Sequence, residues 1–523
     1  MSNLSLKESM ELGGKCCLAW LDPEKDFMPT GGYEVAHDTG RWWDAMLRLE
    51  EAIGFVIPDY IEEAMLNNLK VLTDNPDGLL MNNPNISWLK DSARINPHNF
   101  REAMIAFNAL VRFRNSDWAR QAGHRLLMTM DKCFQSDGRF DYTLLESYGK
   151  VILSDDPCHD QPEGKWFDGT ANSGRSLEGI IWFYEATGDE LAIKVAERIA
   201  QHHLNNTVNL DGSVRQELIS PDNVGHNHSY LGTLRGLLLF GFLTHKWEYV
   251  DAVAETYQNS LWKHNISESG WTPHDLGKTR FPNEDGDPVA ETASCGDVVQ
   301  LGLWLALRCG YMQFMDDVER LMRSRILPAQ IVESDMESFG NIDDNARNRR
   351  LGAWGVHGRP YSKGSILDVL AAVLHTEIDV YNSIVTRSPF GLTINLSLDY
   401  AGSLATIKSE RKESAKITII PKVKDNVMLQ IPSWVSDDSI HITIDGRDCP
   451  KMRIGSWIHA PKDEISPNSE IVLTYNLPER TSTEVMPSGK TYSLKWKGDQ
   501  VVSISPYEPY LCIYETPHKL TNE

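Results

Sequence analysis

The chain has 523 residues, 41% hydrophobic and 24% charged, a composition that excludes disordered and fibrous classes and leaves room for more than one domain. Its 51 basic against 73 acidic residues give a net charge of −22, which excludes a phosphate-backbone partner and a broad anionic membrane surface, both bound through Lys and Arg. The eight cysteines are scattered without a CxxC pair, no apolar run has the length of a membrane span, and the N-terminus lacks a signal-peptide pattern, so a cytoplasmic protein with free thiols is expected.

Residues 1–385 are expected to form helical hairpins. The first helix of each pair begins near Arg41 (RWWDAMLRLE), Asn99 (NFREAMIAFNALV), Ser173 (SGRSLEGIIWFYEA), Ser229 (SYLGTLRGLLLFGFL), Glu291 (ETASCGDVVQLGLWLAL) and Ser362 (SKGSILDVLAAVLH). Runs within them, such as 180–184, 237–240 and 303–307, are apolar on all faces, as in a helix buried on all sides. The second helices keep one polar face; in 190–203, Leu191, Ala192, Val195, Ala196 and Ile199 form a single stripe. Gly188-Asp189 between them supplies a left-handed helix end and an N-cap. Six buried helices inside an amphipathic layer describe an (α/α)6 toroid, and segment 5–12 is the expected outer partner that closes it.

From about Tyr381 the period changes. Segments 392–399, 403–409, 416–421, 427–431, 440–444, 471–475 and 491–496 alternate or run β-branched between turn signals, with a hairpin turn at Asp445-Gly446. Residues 386–523 are therefore expected to form a β-sandwich domain.

In a toroid the loops that feed the inner helices line a shared cavity, and helix N-termini there are electropositive. These loops are rich in His, Trp and Asp: Asp38 and Arg41, His98, Trp166 and Asp168, His226 and His228, Trp271, His274 and Asp275, Glu291, and the 354–363 stretch with His357, Arg359 and Tyr361. Aromatic faces with polar side chains suit a sugar. Asp38 and Asn172 are equally expected as plain caps. Hydrolysis of a glycosidic bond needs two carboxyl groups; Asp38, Asp168, Asp275, Glu291 and Asp297 are available, and position along the chain does not select the pair. Asp297 lies six residues beyond Glu291, nearly opposite in helical rotation, and is expected outside its site. His226 with His228, and Cys158-His159, are the weaker options for a metal, and none is expected.

The segment order resembles glycoside hydrolase family 127, the β-L-arabinofuranosidase-like proteins. YEATGDELAIKVAERIA is similar to the family's helix–TGD–helix hairpin, FPNEDGDPVAETASC to its LPN…AYAETC segment, LQIPSWVSDDSIHITIDGRDC to its LRIPSW…VNG strands, and SISPYEPYLCIYE to its closing strand. The resemblance implies an (α/α) toroid with an appended β-sandwich acting on glycans. It also implies a zinc-bound nucleophilic cysteine, and here the chain departs: Gly358 and Arg359 stand where the family has its cysteine pair. Glu291 matches the family's ligand glutamate, Ala293 stands where its next cysteine belongs, Cys295 is displaced by two positions, and the acid/base glutamate falls near His274 or Asp275.

The expectation is therefore a glycoside hydrolase without a cofactor, releasing a terminal sugar from an oligosaccharide or glycan, with Asp275 as general acid and Glu291 or Asp168 as partner. Asp38, Arg41, His98, Trp166, His226, His228, Trp271, His274, His357, Arg359 and Tyr361 would bind substrate, and Arg359 suits a uronic-acid carboxylate. The alternatives are a polysaccharide lyase using His226, His228, Tyr230 and Arg359, an epimerase using paired histidines, and a non-catalytic carbohydrate-binding relative. Neither nucleic acid nor membrane is an expected partner, and a homodimer is an open assembly.

Overall fold

The computed structural model describes residues 4–32, 34–92, 95–141, 144, 172–280, 282–283, 285–354 and 366–506. Among the described residues, twelve helices of eight residues or more form the N-terminal part: α1 (Leu6–Ala19), α2 (Val35–Ile53), α3 (Asp59–Leu72), α4 (Asn99–Arg114), α5 (Asp117–Cys133), α6 (Asn172–Thr187), α7 (Glu190–Asn206), α8 (Asn227–Thr244), α9 (Trp247–Thr256), α10 (Thr292–Cys309), α11 (Phe314–Leu321) and α12 (Ile366–Ile384). Helices α2, α4, α6, α8, α10 and α12 pack in sequence, and α12 returns to α2, so the inner ring is closed. Each has one outer partner: α3, α5, α7, α9 and α11 follow their inner helices, and α1 packs on α12. The first helix thus completes the last pair, as its amphipathic segment predicts.

The inner helices are close because glycines line their contacts. A Cβ on Gly40 would lie 2.7 Å from the Glu102 carbonyl oxygen, and one on Gly174 2.2 Å from Thr233 Oγ1. Between α6 and α7, Gly188 adopts a left-handed φ of 70° and the Asp189 carboxylate accepts from Leu191 N at 3.0 Å, the punctuation expected of that hairpin. Helix α2 begins six residues before the expected Arg41 start, because after Val35 and Ala36 the stretch 37–40 (HDTG) is polar and interrupts the apolar signal.

Apart from a two-stranded pair of Leu21–Asp22 with Met28–Pro29, the strands begin at Val385, directly after α12. A six-stranded sheet runs from Tyr400–Ala401 to Ile471–Asn476, and a five-stranded sheet from Val385–Ser388 to Trp457–Ala460; both are antiparallel except where Gly391–Ile394 pairs parallel with Val427–Gln430. Inward side chains alternate, as in Ser414–Pro421 where Ala415, Ile417, Ile419 and Pro421 are buried. Asp445 and Gly446 both take positive φ in the hairpin turn. A third sheet was not expected: β1 (Glu479–Val485), β2 (Thr491–Lys497) and β3 (Gln500–Ser505). It packs Met486, Tyr492, Leu494, Trp496, Val501 and Ile504 around Trp271 and Ala290 of the helical region, forming a second small core. Among the described residues no helix is long and apolar enough to cross a membrane.

Candidate functional site

Three chain segments meet at one end of the ring and bring distant side chains together. His226 bridges Asp275, and Pro273 bridges Ala290, each as an isolated antiparallel pair. Backbone bonds from Asn227 N to His274 O (2.9 Å), His274 N to Val289 O (2.8 Å) and Glu291 N to Thr272 O (3.0 Å) hold the segments in register. His226 is the residue before α8 and Glu291 the residue before α10, so both face the electropositive starts of inner helices. The result is a group formed by His226, His274 and Glu291, whose possible ligand atoms all lie within 4.8 Å of one another.

All three are buried, at 5%, 8% and 3% exposure. The His226 and His274 rings lie 4.7 Å apart, tilted by 38°, and His226 Nε2 is 3.5 Å from Glu291 Oε2. His226 Nδ1 meets Ser229 Oγ at 2.8 Å, and Ser294 Oγ donates to Glu291 Oε2 at 3.1 Å. Burial pushes His226 down to about 4, so the imidazole is neutral at pH 7. Burial alone would raise Glu291, but the His226 hydrogen bond and the neighbouring His274 and His228 hold it well below the usual carboxylate range. Glu291, the residue before α10, makes no side-chain cap hydrogen bond to its helix.

The general-acid expectation for Asp275 needs correction. Its carboxylate takes His274 Nδ1 (3.0 Å), Arg280 Nε (2.9 Å) and Arg280 N (2.9 Å). Against a burial penalty, these partners hold it far below the usual range, and a group in that state has no proton to give at neutral pH. Asp275 instead positions His274. Arg280, five residues on, carried no sequence signal of this role.

Trp271 is 7% exposed and its ring belongs to the core shared with β1, β2 and β3. It supports the loop carrying His274 instead of offering a stacking face.

Arg41, His98 and His228 lie inside the ring, committed to buried partners. The Arg41 guanidinium pairs with Asp368 (2.5 Å) and Glu102 (3.2 Å) and donates to His228 Nε2 at 3.0 Å. Because arginine cannot accept, His228 carries its proton on Nδ1, which faces Asp297 Oδ2 at 2.5 Å. His98 contacts Arg175 at 3.1 Å. Arg235 pairs with Asp297 and Glu178, and Arg101 with Glu178 and Glu102. Asp297 is thus a member of this network, apart from Glu291 as its helical rotation predicts.

Asp38 is 1% exposed and neither carboxyl oxygen has a hydrogen-bond partner among the described residues, so it is not the cap that its position implies. Burial pushes its carboxyl well above the usual range, with Asp368 and Glu34 adding to it. Asp168, Trp166, His357, Arg359 and Tyr361 lie outside the described residues, as does the Asn172 side chain.

The zinc–thiolate arrangement implied by the family resemblance finds no fit. Cys295 is fully buried on α10 beside Tyr257, whose hydroxyl donates to Asp317 on the outer layer. The weaker option of His226 with His228 as metal ligands is not the grouping found: His228 is spent on Arg41 and Asp297, and His226 meets His274 and Glu291. The expectation of no metal site thus meets a convergent donor group.

No family model and no curated protein matches the chain. Solved structures do. A GH127 β-L-arabinofuranosidase from Geobacillus stearothermophilus T6 is 14% identical with a TM-score of 0.55, over 95% of this chain and 80% of that one. A second GH127 β-arabinofuranosidase is 11% identical with a TM-score of 0.59, over 94% and 79%. A glycoside hydrolase at 12% identity gives 0.57 over 89% and 77%. Over nearly its whole length the chain therefore has the fold of the GH127 structures, an (α/α) toroid followed by a β-sandwich.

Proposed function

We propose that the chain is a glycoside hydrolase that releases a terminal sugar from an oligosaccharide or glycan at the His226–His274–Glu291 cluster. One observation carries the reading: a desolvated, ionised carboxylate stands between two imidazoles where inner helices present their N-termini. Glycosidic cleavage builds positive charge on the sugar ring and needs a carboxylate beside it, with a second carboxyl to protonate the leaving oxygen. Glu291 is proposed as the first. Asp168, four residues ahead of Asn172 in the sequence, is proposed as the second in place of Asp275, whose charge is committed to Arg280 and His274. Neutral His226 is suited to a sugar hydroxyl, and Arg359 to the carboxylate of a uronic acid. The fold shared with GH127 structures supports the class of reaction and leaves the sugar open.

The test is release of new reducing ends from a panel of arabinosides, rhamnosides and uronosides. Glu291→Gln is expected to lower kcat/KM by about 10²–10⁴-fold with unchanged circular dichroism. Full activity in that variant would sink the assignment. An ultraviolet-absorbing unsaturated product would assign a lyase instead, and binding without turnover would assign a carbohydrate-binding protein.

A further inference from the structure

We propose that His226, His274 and Glu291 bind a divalent cation of the zinc class through two imidazole nitrogens and one carboxylate oxygen. The proposal rests on the preceding reading for the place of the site alone: as a ligand Glu291 shares its charge with the ion, so the charge it offers a sugar is that of the ion-free chain.

The spacing fits. Bonds of about 2.0–2.1 Å in a tetrahedral site place neighbouring donors roughly 3.4 Å apart. His226 Nε2 and Glu291 Oε2 stand 3.5 Å apart, the length of such a tetrahedral edge. The whole group lies within 4.8 Å, so rotations of about an ångström close it. It is the one group of three such donors found among the described residues.

The surroundings are those that a metal site needs. Ligands hold a metal well when a hydrogen bond behind each fixes its orientation. Behind His274 stand Asp275 Oδ1 at 3.0 Å and Arg280 Nη2 at 3.2 Å from Nδ1, the carboxylate itself clamped by Arg280 Nε at 2.9 Å. Behind His226 stands Ser229 Oγ at 2.8 Å from Nδ1. Ser294 Oγ touches Glu291 Oε2 at 3.1 Å. Asp275–His274 is thus a carboxylate–histidine pair of the kind that raises ligand basicity. Three protein ligands also leave a position open for water or a sugar hydroxyl, the pattern of catalytic sites. Imidazole and carboxylate donors suit Zn²⁺, Co²⁺ and Ni²⁺.

The experiment uses the full chain with any affinity tag removed, stripped with a chelator and titrated with Co²⁺ and Zn²⁺. One equivalent of Co²⁺ is expected, with visible d–d bands and without a near-ultraviolet thiolate charge-transfer band. Zn²⁺ is expected to displace it and raise Tm. His226→Gln and His274→Gln are expected to abolish the bands, and Asp275→Asn to weaken binding about 10–100-fold while keeping them. Cys295→Ser is expected to change nothing. Uptake unchanged in both histidine variants, or absent in the wild type, overturns the proposal; a strong charge-transfer band overturns its donor set. Because the readout is spectroscopic, a chain that hydrolyses glycosides but takes no cobalt refutes the ion alone, and one that binds cobalt without turnover refutes the hydrolase reading alone.

Discussion

Single buried carboxyls in this protein differ sharply in charge, and the hydrogen bonds around each explain why. Glu291 and Asp275 are ionised because donors surround them. Glu377 on α12 is the opposite case. The Ser9 hydroxyl lies 2.7 Å from both Gln330 Oε1 and Glu377 Oε1, yet it has one proton for two acceptors. A protonated Glu377 resolves the conflict by donating to Ser9, which then donates to Gln330. Burial pushes its carboxyl up to about 8, far above the unfolded value of 4.5. The sign follows: the unfolded chain ionises first, so this contribution to stability is complete below pH 4.5 and falls as pH rises to 8, by up to about 1.4 kcal/mol per unit. Glu377→Gln keeps a donor for Ser9 and removes the titration. Its Tm is expected to match the wild type near pH 4.5 and exceed it by several degrees at pH 8. Calorimetry across that range checks it, and parallel Tm curves would refute a protonated Glu377.

At the scale of elements, the inner helices are joined by charge as well as by apolar packing. Arg41, Arg101, Arg175, Arg235 and His37, the last raised to about 9 by Glu102 and Asp368 against its burial, face Glu102, Glu178, Asp297 and Asp368, all buried. Paired charges are tolerable in a dry interior, and a charge stripped of its partner is not. Arg101→Met leaves Glu178 and Glu102 short of a partner and is expected to cost about 3–5 kcal/mol. Arg101→Met with Glu178→Gln is expected to cost less than the sum of the two changes, because the stranded charge goes with its partner. Denaturant midpoints of the single and double variants decide this; strict additivity would show that the two residues act independently.

At the scale of the molecule, the candidate site depends on a sheet that begins nearly 190 residues after it. Glu484 on β1 accepts from Ser269 N (2.8 Å), Ser269 Oγ (2.8 Å) and Ser267 Oγ (3.0 Å), and Asp287 accepts from Ser488 N (2.6 Å) and Ser488 Oγ (2.8 Å). With Trp271 packed among β1, β2 and β3, the loops bearing His274 and Glu291 are fastened at both ends. Glu484→Ala should cost about 2–3 kcal/mol and loosen the 267–276 loop first. Hydrogen exchange is expected to accelerate there while α4 stays protected; equal protection in both would show that the sheet does not fasten the loop.

Architecture was legible in the sequence because its signals are local. All-round apolar runs mark α6, α8 and α10, a single apolar stripe marks α7, and period-two alternation marks Ser414–Pro421. The third sheet escaped because Glu479–Val485 is largely exposed and polar, with no alternating apolar pattern. Candidate site residues were legible as types at helix starts, which named His226, His274 and Glu291 together with residues that serve elsewhere. Their meeting was not, since 48 and 17 residues separate them along the chain and two isolated β-bridges join them in space. Nor was their charge. Local pattern determined that this chain forms a ring of helix pairs with strands behind it; burial and partners, which exist only once the ring closes, decided that Asp275 holds a histidine, that Trp271 packs a core, and that Glu291 keeps its charge between two imidazoles.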